Sequence, residues 1–290
     1  MHGRVGPHAA GIAALLVVTL LWGTTFAVIK GAVTHVAPLH LTLARFAIAG
    51  SIFLPWVVRS RHAWGAGLEL GGWLFLGYAT QAVGLRYTTA SRSAFITAAS
   101  VVLVPLLITA AGRRVPRSVS VAALVALAGV GLLSWDGSPP NVGDAWTLVT
   151  AAAYAVYVVR LEAHALAVDT RRLTAVQLWS VAMFAALGVL AGRAVGGPSA
   201  VGAPPAIPPS AWAAVAYLAL AATAVTTWLQ AAGQRRVTAP EAALIYTLEP
   251  LWAALFAYWW LGESLGRRGL AGAALVVAAM LLSQWPIRRP

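Results

Sequence analysis

Long apolar runs, separated by short polar or turn-rich breaks, make up almost the whole chain. Ten stretches reach or approach the length that crosses a bilayer, about 20 mainly apolar residues. They are 9–29, 38–58, 70–86, 91–111, 119–135, 143–161, 173–191, 210–232, 239–261 and 267–285. The third and fifth are the shortest. Each is too long for a strand of a membrane barrel, and none alternates apolar and polar residues with a period of two. Each is therefore predicted to be a helix, the remaining way to pair a backbone in lipid. The breaks are short, except for the Pro/Gly-rich stretch 192–210, predicted to be an external loop. The segment Asp136–Asn141 marks a boundary between a first half, 9–135, and a second, 143–285.

The two halves share a sequence. Gln81–Ile96 laid over Gln230–Ile245, an offset of 149, gives 8 identities in 16 positions. They include Gln81/Gln230, Gly84/Gly233, Arg86/Arg235 and Thr89/Thr238, which alanine-rich composition does not supply. Each copy closes one apolar run, turns at an arginine and enters the next. Five runs per half is an odd number, so the second half enters the membrane from the opposite side. Inverted repeats of this kind are a common plan for secondary transporters, with the substrate held near the midplane between the halves.

Composition agrees with that picture. The chain is 60% hydrophobic and 10% charged, against about 25% charged in soluble proteins. Charge adds direction. Of the 20 basic residues, 13 fall in the even-numbered connections and termini, 6 in the odd-numbered connections, and Arg45 lies within a run. By the positive-inside rule both termini are expected in the cytoplasm. The charge of +12 thus reads as a topology signal, and nucleic acid is not expected as a partner. Val5–Ile29 carries no Lys, Arg, Asp or Glu over 25 residues, too long for the h-region of a cleaved signal, about 7–15 residues. It is expected to be the first span. With no cysteine, disulfides, thiolate metal sites and cysteine nucleophiles are excluded; no metal or cofactor is expected.

Several local motifs resemble EamA-type members of the drug/metabolite transporter superfamily. They are Trp22-Gly23-Thr24-Thr25-Phe26 with Lys30, Pro38 with Ala44-Arg45-Phe46, Tyr246-Thr247-Leu248-Glu249-Pro250, and Leu261-Gly262-Glu263-Ser264. The likeness runs over residues 9–285. It implies an all-α integral membrane protein of ten helices in two inverted five-helix repeats, exporting small metabolites across the bacterial inner membrane. Within the family the chain looks most like exporters of aromatic and neutral amino acids. The sixth run departs from the repeat, with Tyr154-Ala155-Val156-Tyr157 where the first has Trp22-Gly23-Thr24-Thr25. Two chemically unequal gates are the consequence.

Eight residues are candidates for a substrate site: Trp22, Arg45, Tyr78, Gln81, Tyr157, Gln230, Tyr246 and Glu249. Arg45 stands about seven residues, or ~10 Å, into its run. An intramembrane charge is expensive and faces a partner or a wet cavity, so Arg45 either lines the substrate route or ties down neighbouring carbonyls. Glu249 stands near the middle of the ninth run; its counterpart at offset 149 is Ser100. Pro250 removes the donor for the Tyr246 carbonyl and sets up a kink there. Glu249 is read either as a group for a substrate amine or a proton, or as half of a buried pair with Arg45. Gln81 and Gln230 are placed at opposite gates, or simply join helices. The aromatic candidates, with Tyr154 and Trp228, suit a mostly apolar pocket with a few polar groups. Trp56, Trp135, Trp212 and Trp285 read instead as an interfacial belt. Gly188 and Gly192 have the spacing of a close helix contact, expected within one chain. His35 and His40 are read as structural or solvated, and Glu263 as a helix exit near Arg267 or Arg268.

The expected function is secondary transport by alternating access, by a monomer in a lipid bilayer acting on a small molecule. A P-loop needs Gly-Lys-Ser/Thr, and the one lysine, Lys30, follows Ile29. A membrane hydrolase needs a Gly-x-Ser-x-Gly elbow or a zinc motif, and neither occurs. A polytopic sensor or scaffold is the competing reading.

Overall fold

A computed structural model describes residues 6–59, 61–134, 139–200, 207, 209–261 and 266–284. No strand occurs among the described residues. Among the described residues the helices follow one another as ten rods. The first is α1 (Pro7–Gly23) with α2 (Thr25–Ala32); the second α3 (Pro38–Ile52) with α4 (Leu54–Val58); the third α5 (Trp64–Tyr87); the fourth α6 (Ala90–Ala98) with α7 (Ser100–Ala110); the fifth α8 (Arg117–Ser134). Then come α9 (Val142–Ala167), α10 (Thr170–Ala200), α11 (Trp212–Ala219) joined through a π-helical turn (Leu220–Val225) to α12 (Thr226–Gln234), α13 (Ala239–Tyr246) with α14 (Glu249–Leu261), and α15 (Arg267–Gln284). Among the described residues six stretches are long and apolar enough to cross a membrane: Pro7–Ala32, Arg92–Ala110, Arg117–Ser134, Val142–Ala167, Thr170–Gly192 and Trp212–Gln234. The other rods fall short in length or hydropathy as described.

The third rod starts six residues before its apolar run, at Trp64, and Glu69 in that extension is paired. Arg160 donates to its carboxylate through two guanidinium nitrogens, and His164 lies 2.8 Å from Oε2. The helix α10 continues to Ala200, into the stretch 192–210 expected as a loop; residues 201–206 of that stretch lie outside the described set. So do Asp136, Trp135, Trp285 and the Gly262-Glu263-Ser264 part of the last motif.

Glycines set the closest approaches. A Cβ on Gly11 of α1 would lie 3.1 Å from the Gly233 carbonyl oxygen of α12, and one on Gly143 of α9 would lie 2.7 Å from that of Gly84 of α5. Gly84 and Gly233 are the repeat glycines at offset 149, and Gly11 and Gly143 are related by an offset of 132. One contact is thus made twice, once at each end of the bundle, as an inverted repeat requires. Gly129 of α8 and Gly272 of α15 face each other in the same manner, the Cβ of either falling within 3 Å of the other's carbonyl oxygen. Gly188 packs toward Leu39 and Phe75 of the same chain.

The outer faces of the rods carry Leu106, Leu124, Leu148, Leu187, Leu190 and Leu281, each more than half exposed. Trp212 is exposed at the start of its rod. In water such a surface would aggregate; against hydrocarbon it is the expected one. Inside, the packing differs in kind: small residues such as Ala151, Ala155, Ala185, Ala231 and Ala242 are fully buried, and many threonine hydroxyls bond back to a carbonyl one turn earlier, as Thr19 to Leu16 and Thr147 to Gly143.

Candidate functional site

Between the two repeats lies a cavity lined by side chains from both, mostly apolar and aromatic with a few polar groups, as small-molecule sites are. All eight candidate residues stand on its wall, and Tyr154 with them. Trp228 does not; its ring is 38% exposed on the outside of the bundle, because it lies on the face of α12 opposite the buried Thr226, Thr227 and Gln230.

The wall is built from repeat-equivalent positions. At offset 132 Trp22 matches Tyr154 and Thr25 matches Tyr157; at offset 149 Gln81 matches Gln230, Ala94 matches Ala243, Ala98 matches Thr247 and Ser100 matches Glu249. Every one of these twelve residues lines the cavity. The backbone plan is therefore two-fold and the chemistry is not. Arg45 comes from the first repeat and Glu249 from the second; their counterparts are Gln177 and Ser100.

The aromatic side chains meet. Trp22 and Tyr246 have centroids 5.4 Å apart, and Tyr78 meets Tyr154 edge-on at 5.7 Å. Gly77 makes room: a Cβ there would stand 2.2 Å from the Tyr154 ring. The Tyr157 hydroxyl lies 3.2 Å from Oε1 of Gln177 and 3.3 Å from Oε1 of Gln230. With one proton it donates to one of them at a time. The Tyr246 hydroxyl donates to Gln234 Oε1 at 3.3 Å. Gln81 and Gln230, expected at opposite gates, share this one wall; Gln230 joins the hydroxyl network, while no hydrogen bond is found for the Gln81 side chain among the described residues.

Arg45 is 3% exposed. Its Nε donates to Thr223 Oγ1, its Nη2 donates to the Ala222 carbonyl at 2.8 Å, and its guanidinium carbon lies 4.6 Å from the centre of the Tyr78 ring. The π-helical turn Leu220–Val225 explains how two partners are free to receive it. A π turn shifts the helix ladder by one residue and disturbs the ordinary pairing of its carbonyls. The Thr223 hydroxyl itself donates five residues back, to the Leu218 carbonyl at 2.7 Å. Arg45 thus ties the second rod to the eighth and still presents a cation to the cavity.

The expected alternative for Glu249, an ion pair with Arg45, is not formed among the described residues. Its carboxylate makes no hydrogen bond or ion pair to any of them, and it lines the cavity next to Pro250 and Thr247. The rod is broken here: α13 ends at Tyr246 and α14 begins at Glu249. The equivalent rod breaks at the equivalent place, between Ala98 and Ser100, where the Val102 N–H reaches the Ala99 carbonyl at 3.0 Å instead of continuing the i−4 ladder. Pro250 accounts for the second break by the missing N–H. In the first, Pro105 stands five residues further on, inside α7, and accounts only for strain downstream.

The residues missed by sequence reasoning include Thr25, Thr97, Ala94 and Ala243 on the wall, and Thr223 and Gln177 just behind it. The repeat alignment contained a signal for four: Ala94/Ala243 is an identity, and Thr25 and Gln177 are the partners of Tyr157 and Arg45. The first-run motif also resolves into separate duties. Trp22 and Thr25 face the cavity, Thr24 bonds the Tyr217 hydroxyl, and Gly23 lets Trp252 approach, a Cβ there meeting that residue's Cβ at 2.6 Å.

Comparison with known proteins agrees with this arrangement. The EamA-like transporter family matches twice, over residues 9–135 and 141–285. A protein of Archaeoglobus fulgidus described as an uncharacterized transporter is 30% identical over 273 residues, 92% of this chain and 83% of the relative. A second, of the same organism and description, is 28% identical over 287 residues, 93% and 95% of the two chains. A solved crystal structure superposes with a TM-score of 0.75 at 20% identity, covering 96% of this chain and 97% of the other; it shows the fold alone.

Proposed function

The chain belongs to the EamA-like transporter family, and on that footing we propose that it exports small metabolites that carry an amine, aromatic and neutral amino acids foremost, across the bacterial inner membrane by alternating access. One observation carries the substrate class. The cavity combines a single open carboxylate, Glu249, with a single guanidinium, Arg45, among Trp22, Tyr78, Tyr154, Tyr157 and Tyr246. A zwitterion with an aromatic or apolar side chain complements all three features. Its ammonium is taken by Glu249, its carboxylate is attracted by Arg45, and its side chain lies among rings that also stabilise a cation through their faces. A sugar phosphate or nucleotide finds one cation and an opposing carboxylate, a poor match for a polyanion.

Both termini lie in the cytoplasm in this reading, supported by the 13-to-6 distribution of basic residues. One chain holds both repeats and a whole cavity, so a monomer suffices. Two-state rocking of the repeats about this cavity exposes it to each side in turn, and substrate moves the population only by differential affinity.

The test is uptake of labelled phenylalanine, leucine, putrescine and glucose 6-phosphate into proteoliposomes, with and without a pH gradient. Saturable uptake of the two amino acids and none of the sugar phosphate is expected. The variant Glu249→Gln is expected to raise KM for amino acids by about tenfold or more, the loss of one charge-assisted contact of roughly 1.5–3 kcal/mol. Equal uptake of the sugar phosphate, or unchanged kinetics in Glu249→Gln, refutes the assignment. A rate that follows the pH gradient in the wild type, and ceases to in Glu249→Gln, makes the same carboxylate the proton carrier.

A further inference from the structure

At the end of the bundle away from the N-terminus, a buried polar knot joins four rods. Asp144, 7% exposed in the first turn of α9, is its centre. Its Oδ1 accepts from Arg92 Nε at 2.9 Å and from the Thr88 hydroxyl at 3.0 Å; its Oδ2 lies 2.8 Å from Arg92 Nη2 and accepts the Asn141 N–H at 2.8 Å. Arg92 is 1% exposed. Beside it Lys30, from α2, donates to the carbonyls of Leu85 and Thr88 at the end of α5. The knot lies directly beyond the cavity: Ala94 follows Arg92 by two residues, Gln81 precedes Leu85 by four, Thr25 precedes Lys30 by five, and all three line the wall.

The other repeat is built without such a knot at the equivalent positions. The counterpart of Arg92 at offset 149 is Glu241, and that of Thr88 is Val237. Glu241 sits in the first turn of α13, where it closes a capping box with Thr238. That is the favourable sign at a helix start. Arg92 in the first turn of α6 has the unfavourable one, and it is buried as well. The bidentate pairing with Asp144 offsets both. At the opposite end the contacts are of another kind. Glu241 meets His8 at 3.6 Å, and Arg113 meets Glu162 at 3.0 Å, with His8 and Arg113 side chains 53% and 57% exposed. Solvated pairs of this sort exchange with water at little cost. Breaking the buried one strands a charge.

We propose that the Arg92–Asp144 knot, with Thr88 and Lys30, is a latch that holds the far mouth of the cavity shut, so that the resting transporter opens preferentially at the end bearing its N-terminus. This rests on the transport reading of the cavity. It makes the two gates unequal by chemistry: close glycine packing is common to both ends, but one adds a buried ion pair and the other pairs whose cationic partner is exposed. Opening the far mouth requires water or substrate to reach Asp144.

The absence of cysteine allows a direct test. Ala94 and Ala243 are repeat-equivalent, both line the cavity, and each lies just inside one mouth. Ala94→Cys and Ala243→Cys are made singly and their reaction rates with a charged maleimide are measured in detergent-purified protein. Ala243→Cys is expected to react faster. Adding Asp144→Asn is expected to raise the rate at position 94 on the order of tenfold, by removing the carboxylate from the buried pair, and to lower the rate at 243. Thr88→Ala, which removes one of the bonds to Asp144, shifts both rates the same way by less. A purely structural role would lower thermal stability and change the two rates together or not at all; either result, in monodisperse protein, overturns the latch. Should Asp144→Asn fail to give monodisperse protein, the ratio of rates in Thr88→Ala decides by the same criterion. Amino-acid uptake separates the two ideas: unshifted rates with uptake intact sink the latch alone, while shifted rates with no uptake of any solute sink the transport reading and leave the latch standing.

Discussion

Arg45 shows how one buried charge is made tolerable. A guanidinium has five donors and no way to lose its proton in this setting, so every unpaired N–H in a dry interior is a cost. Thr223, Ala222 and the Tyr78 ring meet three sides of it. The variants of this contact should therefore rank in an unexpected order. Thr223→Val keeps the shape but strands the Nε–H of a buried cation, and is expected to cost about 2 kcal/mol. Arg45→Met removes the charge itself and refills the space, and is expected to cost less, since buried charges replaced by well-packed apolar groups are often neutral. Thermal unfolding in detergent gives the order; Thr223→Val as the milder of the two would contradict it. Glu249 is the opposite case. It has no hydrogen-bond or ion-pair partner among the described residues, so Glu249→Gln is expected to leave stability unchanged or slightly raised while it impairs transport.

At the scale of elements, the third and sixth rods decide the shape of the cavity. The helices α5 and α9 pack along most of their length, and the contact is close because Gly77 lies under the Tyr154 ring. A side chain at position 77 has no space except by displacing that ring toward the cavity. Gly77→Val is expected to destabilise the protein by about 1–3 kcal/mol, the usual cost of overpacking, and to weaken amino-acid binding, read as a raised KM. Gly65, for which a Cβ would meet nothing within 4 Å, is the control in the same helix; Gly65→Ala should change neither. The broken rods follow the same logic of local cause. Glu249-Pro250 breaks the ninth by removing a donor, and the π turn of the eighth opens it where Arg45 arrives.

Across the whole molecule, stability comes from rods matched through small residues, because hydrocarbon outside offers no hydrophobic drive to bring helices together. The pair α8 and α15 makes the point. Their backbones approach at Gly129 and Gly272, where a Cβ on either would fall within 3 Å of the other's backbone. Gly129→Leu is expected to force these rods apart and to abolish monodisperse protein, measured by size-exclusion chromatography, although it adds an apolar residue to an apolar protein. A monodisperse variant with wild-type unfolding temperature would show that these rods can reseat. The two-fold plan also predicts where effects should be symmetrical and where not. Substitutions at Gly11 and Gly143 disturb equivalent contacts at opposite ends, whereas Arg92 and Glu241, equally equivalent by sequence, carry opposite charges and different partners.

The apolar runs, the repeat and the family motifs were legible in the sequence because each depends on local or periodic features: run length, the offset between copies, and residue types at fixed spacing. The same signals brought all eight candidate residues to the cavity wall, since inverted repeats place equivalent positions around a common axis. Which of those residues are paired was not legible. Sequence spacing left Arg45 and Glu249 open as partners, and three-dimensional packing instead brought Thr223 and Ala222, almost 180 positions from Arg45, to its guanidinium. Trp228 was misplaced because a step of one or two residues along a helix turns an inward position outward. Asp144, which the sequence reading did not single out, became the centre of a four-rod knot because packing brings Thr88 and Arg92, more than 50 positions away, to its carboxylate. Periodicity determines that a chain must bury one face of each rod; only the tertiary structure decides which rods share that burial and hence which distant polar groups must satisfy one another.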